Sequence, residues 1–159
     1  AEGGKATLIG WGMMEDGSFP DALMQTEIDI QANDACNAGI KAVYAKDLRS
    51  YLEGYGKYMK VSPDTVSRAA DMIAGVMGDP LTANMMCAGV QSGARSACFG
   101  DSGGPLFQKG DAGTVQVGIV SWGEGPEDAE IACGYADVYA VYTRVAKYHD
   151  WIAGHAGLK

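Results

Sequence analysis

The sequence lacks the features that mark several common functional classes. It carries 12 basic and 20 acidic residues, a formal charge of −8, and no basic block. Nucleic acid is therefore an unfavourable partner, because phosphate binding requires clustered Lys and Arg. No apolar run approaches the roughly 20 residues of a membrane-spanning helix, so no membrane association is predicted. We also find no pattern that indicates a metal or cofactor.

Histidine is scarce, with two residues in 159, and an initiator methionine is missing. His149 and His155 both lie in the last predicted helix, where exposed polar residues are the ordinary interpretation. The chain starts at Ala1 without a recognisable secretory signal. We therefore expect a processed product or a fragment.

Four cysteines are present, and no two stand at the C-x-x-C spacing of a structural zinc site. Two disulfides in an oxidising compartment fit this pattern, which predicts a secreted or extracellular protein. Four buried free thiols are the alternative. Three pairings of the four cysteines are compatible with the sequence.

Strand patterns dominate what remains, and one domain accounts for the length. Alternating side chains predict strands at 5–12 and 22–31, and further strands at 84–90, 105–108, 114–122 and 140–145. Helical spacing follows Asn33, a candidate cap, and continues over 34–52. Ser62 and Pro63 begin a second helix over 62–78, and a third spans 146–156. We predict an all-β barrel or sandwich with a helical insertion near 37–80.

In the second helix of the insertion, six apolar residues form one stripe: Val66, Ala69, Ala70, Ile73, Val76 and Met77.

The stretch from Gly100 to Pro105, GDSGGP, surrounds one serine with small residues. A serine that attacks a carbonyl needs space for its substrate and backbone N–H groups directed at the developing oxyanion. Glycines permit the unusual backbone that directs two N–H groups to one point. The alternative is a glycine-rich turn with an ordinary serine.

Further motifs follow in a fixed order: LIGWG at residues 8–12, VGIVSWG at 117–123 and VYTRV at 141–145. Together with GDSGGP they resemble the trypsin/chymotrypsin-like serine endopeptidases over nearly the whole chain outside the insertion. The resemblance implies that residues 1–159 are the second, C-terminal six-stranded antiparallel β-barrel of that fold. The start at Ala1 then resembles a cut near the linker between the two barrels.

The resemblance also implies roles for individual residues. Ser102 corresponds to the nucleophile, and the N–H groups of Gly100 and Ser102 to the oxyanion hole. Asp101 corresponds to the residue that pairs with a newly freed terminal amine. The implied disulfides are Cys36–Cys87 and Cys98–Cys133. The implied substrate pocket comprises Ser96, Ala97, Phe99, Ser121, Trp122, Gly123 and Ala140.

Ser96 stands where trypsins carry the aspartate that attracts Arg and Lys. A neutral floor cannot pair with a cation, and burying an unpaired charge is costly. Ala140 reduces the pocket depth, so we expect a preference for Leu, Met, Tyr or Phe before the cleaved bond. Tyr139 occupies a position associated in the family with monovalent cation binding, although a packed loop tyrosine is the simpler interpretation.

A serine hydroxyl needs a histidine to take its proton and a carboxylate to orient that histidine. The family supplies both from its first barrel, so we expect a serine endopeptidase that depends on an N-terminal barrel and acts on protein or peptide substrates. A non-catalytic binding module with the protease fold is the alternative. The insertion is either a partner-binding lid or a pair of helices packed on the barrel.

Overall fold

Six antiparallel strands close into a barrel in the computed structural model, which describes residues 2–111 and 113–157. Around the barrel the strands run β1-β2-β3-β6-β5-β4, and β1 pairs with β4 to complete the circle. The predicted six-stranded barrel is therefore confirmed. The strands are β1 (Lys5–Gly10), β2 (Met24–Gln31), β3 (Met85–Gly89), β4 (Pro105–Gly110), β5 (Gly113–Trp122) and β6 (Ala140–Arg144).

Side chains from alternate strand positions fill the barrel interior, as a two-residue period requires. In β2, Ile28 and Ile30 are buried while Asp29 lies between them at the surface side. Leu106 and Tyr142 are fully buried on β4 and β6. The core comprises Ala6, Leu8, Ile28, Ile30, Met86, Ala88, Val90, Ala97, Leu106, Val120, Ala140 and Tyr142.

Two helices, α1 (Asn33–Tyr58) and α2 (Pro63–Gly75), occupy the predicted insertion between β2 and β3. Asn33 is not the cap that the sequence suggested, because Ala32 takes that place. The Asn33 amide instead donates to the Met85 carbonyl (3.2 Å) and accepts from the Arg144 guanidinium (3.2 Å). These long-range bonds attach the start of α1 to the barrel.

The second helix begins as predicted and ends earlier. Ser62 Oγ accepts a hydrogen bond from the Thr65 N–H at 3.2 Å, and the helix ends at Gly75 rather than 78. Val66 and Ala70 are buried, but Val76 is 79% exposed. The apolar stripe is therefore buried only in its first half, and α2 packs mainly on α1.

A 3₁₀ turn, Val145–Tyr148, leads into α3 (His149–Ala156), which confirms the predicted C-terminal helix. Gly157 adopts a left-handed conformation (φ 66°) just after it, as is common at helix ends. None of the helices in the described ranges is both long and apolar enough to cross a bilayer.

Candidate active site

The residues assigned to the pocket from sequence lie around one cavity of about 430 Å³. Ser102 lines the same cavity, with the turn that precedes β4 on one side and the end of β5 on the other. The predicted residues that line it are Ser96, Ala97, Phe99, Ser121, Trp122, Gly123 and Ala140. The structure therefore brings the predicted nucleophile and the predicted pocket together.

Two loops and one irregular strand end build this cavity. The register of β5 against β6 shifts between Val120 and Trp122, and such a bulge redirects the side chains at a strand end. The Cys98–Cys133 disulfide joins the loop that carries Ser102 to the loop that follows β5. A second disulfide, Cys36–Cys87, ties α1 to β3. Both expected pairings are thus present.

Backbone hydrogen bonds fix the turn that carries Ser102. The Gly103 N–H donates to the Val120 carbonyl at 2.9 Å, and the Val120 N–H donates to the Gly104 carbonyl at 2.9 Å. The Gly104 N–H also donates to the Asp101 carbonyl at 2.8 Å. The serine side chain is exposed at the tip of this turn. Its position is therefore set by β5 rather than by its own contacts.

The N–H groups of Gly100 and Ser102 have no acceptor among the described residues. Gly100 has φ 97°, a backbone conformation that side chains rarely adopt. A Cβ there would also lie 3.3 Å from the Gly12 Cα and from the Phe19 ring. The chain thus uses glycine to keep two free donors beside the serine.

The Asp101 carboxylate turns away from the cavity and accepts two backbone hydrogen bonds. One oxygen accepts from the Gly12 N–H at 2.8 Å and the other from the Cys98 N–H at 2.9 Å. The close approach of this carboxylate to the backbone of Gly10 requires glycine, since a Cβ there would lie 1.9 Å from the Asp101 Oδ1. This is a structural reason for the LIGWG motif: its two glycines make room for the carboxylate next to the serine.

Neither histidine lies near Ser102. The His149 side chain is 80% exposed on α3, and its Nδ1 lies 3.1 Å from Asp150 Oδ1. It borders a different cavity, between α3 and the barrel. The His155 Nδ1 lies 2.8 Å from the Trp151 carbonyl oxygen. Within the described ranges, no imidazole is placed to accept the Ser102 proton.

The family model named Trypsin matches residues 52–152 of the sequence. The chain belongs to the trypsin family. Its closed six-stranded barrel is consistent with that membership.

Several trypsin-family relatives match over different extents. Transmembrane protease serine 11G of Mus musculus is 32% identical over 150 residues, which cover 93% of this chain and 26% of that protein. Mannan-binding lectin serine protease 1 of Mus musculus is 32% identical over 161 residues, 99% of this chain and 17% of that protein. Vitamin K-dependent protein C of Oryctolagus cuniculus is 45% identical over 80 residues, 50% of this chain and 16% of that protein. The chain thus spans at most about a quarter of these relatives.

The structure of this trypsin-family chain also places residues at the cavity that sequence reasoning missed. Glu124 is the one charged side chain among the described residues that line it. The Tyr44 hydroxyl, on α1, donates to Glu124 Oε1 at 2.9 Å. Burial, and then this hydrogen bond, raises the pKa of Tyr44. No local signal in the sequence links two residues 80 positions apart.

Tyr139 lines the cavity and is buried in a second apolar cluster between α1 and the barrel. Burial, with a smaller contribution from the Asp137 charge, raises the pKa of Tyr139. This packing agrees with the simpler interpretation of Tyr139 in the sequence.

Proposed function

We propose that residues 1–159 form the C-terminal, substrate-binding barrel of a serine endopeptidase, with Ser102 as its nucleophile. One observation carries the proposal: Ser102 lies at the cavity beside two N–H groups, of Gly100 and Ser102 itself, that have no acceptor in the described residues. A substrate residue whose side chain occupies the cavity would present its backbone carbonyl carbon to the serine hydroxyl and its carbonyl oxygen to these donors.

The chemistry divides between this barrel and a second one. The Ser102 hydroxyl oxygen would attack the peptide carbonyl carbon. The Gly100 and Ser102 N–H groups would stabilise the negative charge that develops on the carbonyl oxygen of the substrate. The serine proton would pass to a histidine, oriented by an aspartate, on an N-terminal barrel of the same protease. The exposed position of His149 and His155 on α3 supports an external base.

In this proposal Asp101 keeps the oxyanion hole in shape. Its carboxylate holds the Gly12 and Cys98 N–H groups and so fixes the turn immediately before the serine. In the family the corresponding carboxylate pairs with a freed terminal amine, and we assign Asp101 the same partner in the mature enzyme. Either arrangement keeps the carboxylate away from the substrate.

The cavity favours an uncharged side chain before the cleaved bond. Ser96 corresponds to the family's pocket floor and Ala140 to a position that limits its depth; both line the cavity, and neither can pair with a cation. The Glu124 carboxylate on the cavity wall already accepts a hydrogen bond from Tyr44. In the assembled protease, we expect faster cleavage of peptides after Leu, Met, Tyr or Phe than after Arg. Ser96→Asp should reverse this preference by about tenfold or more, while Ser96→Asn should not. Faster wild-type cleavage after Arg would refute the assignment.

A fluorophosphonate probe tests the catalytic division. The chain alone should label no faster than its Ser102→Ala variant, whereas the chain assembled with an N-terminal barrel should label at least about a thousandfold faster. Rapid labelling of Ser102 in the isolated chain would show that the base lies within residues 1–159.

A non-catalytic binding module with the protease fold remains the second candidate, because no imidazole in the described residues faces Ser102. This candidate predicts that an N-terminal barrel leaves the labelling rate unchanged.

The two disulfides support a secreted or extracellular site, and the cavity supports a protein or peptide substrate.

A further inference from the structure

The inserted helix α1 touches the wall of the substrate cavity through two polar contacts. We call residues 123–139, which follow β5, the pocket loop. Tyr44 donates its hydroxyl hydrogen to Glu124 at 2.9 Å, and the Lys46 ammonium lies 2.6 Å from the Asp128 carboxylate. Both partners in the pocket loop are thus held by residues less than one helical turn apart on α1.

A backbone contact joins the two segments at the other end of the pocket loop. A Cβ at Gly39 would lie 2.0 Å from the Asp137 carbonyl oxygen. The helix therefore packs directly on the loop backbone there, and only glycine permits this distance. Tyr44 and Trp122 pack against the same buried apolar cluster, and Trp122 also lines the cavity.

The contact between Tyr44 and Glu124 reaches the substrate cavity itself. Glu124 lines the cavity, and no other charged side chain in the described part of the chain does so. We propose that the insertion is a positioning element for the pocket: Tyr44 fixes the Glu124 carboxylate at the cavity wall, and Lys46 holds the pocket loop next to it. Tyr44 and Lys46 are positioning residues, since neither lines the cavity.

The two contacts differ in strength. The Lys46 and Asp128 side chains are 55% and 70% exposed, so solvent screens their attraction. The bond from Tyr44 to Glu124 is partly buried and involves a charged acceptor, which makes it the stronger one. Tyr44 should therefore dominate the effect of the insertion on the pocket.

Amide hydrogen exchange tests the positioning without any need for catalysis. Tyr44→Phe keeps the ring and removes the hydroxyl, so exchange in the pocket loop should accelerate by about fivefold to tenfold while the barrel strands stay unchanged. Tyr55→Phe is the matched control, because Tyr55 is an exposed tyrosine on the same helix. Equal exchange of the pocket loop in wild type and Tyr44→Phe would overturn the proposal.

Conservative and exchanged variants separate positioning from packing. Glu124→Gln keeps an acceptor for Tyr44 and should retain the protection of the pocket loop, whereas Glu124→Ala should lose it. Lys46→Asp should accelerate exchange near Asp128, and adding Asp128→Lys should restore protection. Failure of both rescues would show that the contacts do not position the loop.

The consequence for substrates rests on the proposed function. In the assembled protease, Tyr44→Phe should raise KM several-fold with little change in kcat, because Ser102 and its N–H neighbours are held by β5 and not by α1. A fall in kcat at constant KM would contradict the positioning role. If the assembled protein cleaves nothing, the proposed function fails, and hydrogen exchange still decides the role of Tyr44.

Discussion

The barrel and the inserted helices differ in how completely they bury their apolar side chains. Ile28 and Leu106 in the barrel are fully buried, whereas Met72 and Val76, at the end of the insertion, are 70% and 79% exposed. The barrel closes on itself and covers its own core. The insertion is covered on one side only, so its far end contributes little to burial and to stability.

Within the insertion, burial is concentrated where α1 leaves the barrel. Cys36 is bonded to Cys87 there, and the buried Asn37 side chain accepts a hydrogen bond from the Leu81 N–H at 2.9 Å. Ile40 is fully buried nearby. This anchored base also carries the contacts with the pocket loop. The barrel therefore determines the fold, whereas the part of α1 next to the barrel contributes contacts to the wall of the substrate cavity.

The largest expected difference between the two regions is in core truncation. Leu106→Ala in the barrel should lower the free energy of unfolding by about 2–5 kcal/mol, because it leaves a cavity in a closed core. Ile73→Ala, at a position 40% exposed on α2, should cost less than about 1 kcal/mol. Urea denaturation of both variants measures the contrast. Equal losses would mean that α2 is packed in solution as tightly as the barrel.

Two glycines in α1, Gly39 and Gly54, differ in what surrounds them. Gly39→Ala places a Cβ against the Asp137 carbonyl and should lower the free energy of unfolding by about 1–3 kcal/mol. Gly54→Ala meets nothing within 4 Å, and should raise it by about 0.5–1 kcal/mol through better helix propensity. Thermal unfolding measures both. A gain in stability for Gly39→Ala would show that α1 does not pack closely on the pocket loop.

Alkaline pH should weaken the barrel most strongly through Tyr142. Burial, and then the charge of Asp101, raises the pKa of Tyr142. Unfolded tyrosine loses its proton near pH 10, while folded Tyr142 keeps it, so the unfolded state binds fewer protons above that pH. The free energy of unfolding should therefore fall as pH rises above about 10. Denaturant titrations from pH 8 to 11 measure the slope, and a flat profile would contradict the burial of this phenol.

Local patterns in the sequence predict the elements well where each element is self-contained. Alternation identified the strands, and Ser62 with Pro63 identified the start of α2, since both signals depend on neighbouring residues. The glycines of LIGWG and GDSGGP are also local signals, because each marks a position where the backbone has no room for a side chain or adopts a conformation that favours glycine. The closed order of the strands follows from the family resemblance carried by these motifs.

Contacts between distant segments could not be read from the sequence. Asn33 resembles a cap locally, but its bonds to Met85 and Arg144 lie 52 and 111 positions away. The bond between Tyr44 and Glu124 is hidden for the same reason. The stripe on α2 is only partly buried, because periodicity shows which residues share a face and does not show what covers that face.

The smallest expected effect concerns the hydroxyl of Tyr142 at neutral pH. This oxygen is buried and has no hydrogen-bond partner among the described residues. Tyr142→Phe removes an unpaired polar group and keeps the ring, so the free energy of unfolding should stay constant or rise by up to about 1 kcal/mol.

The same substitution should flatten the loss of stability above pH 10, whereas Tyr55→Phe, on the exposed face of α1, should change neither quantity. Each variant lacks a single oxygen atom, one in the barrel and one in the insertion. Chemical denaturation of both at pH 7 and above pH 10 measures the effect of each loss on stability. A clear loss of stability in Tyr142→Phe at pH 7 would show that the hydroxyl is hydrogen-bonded in solution. The otherwise apolar barrel interior would then contain one hydrogen-bonded polar group, at Tyr142.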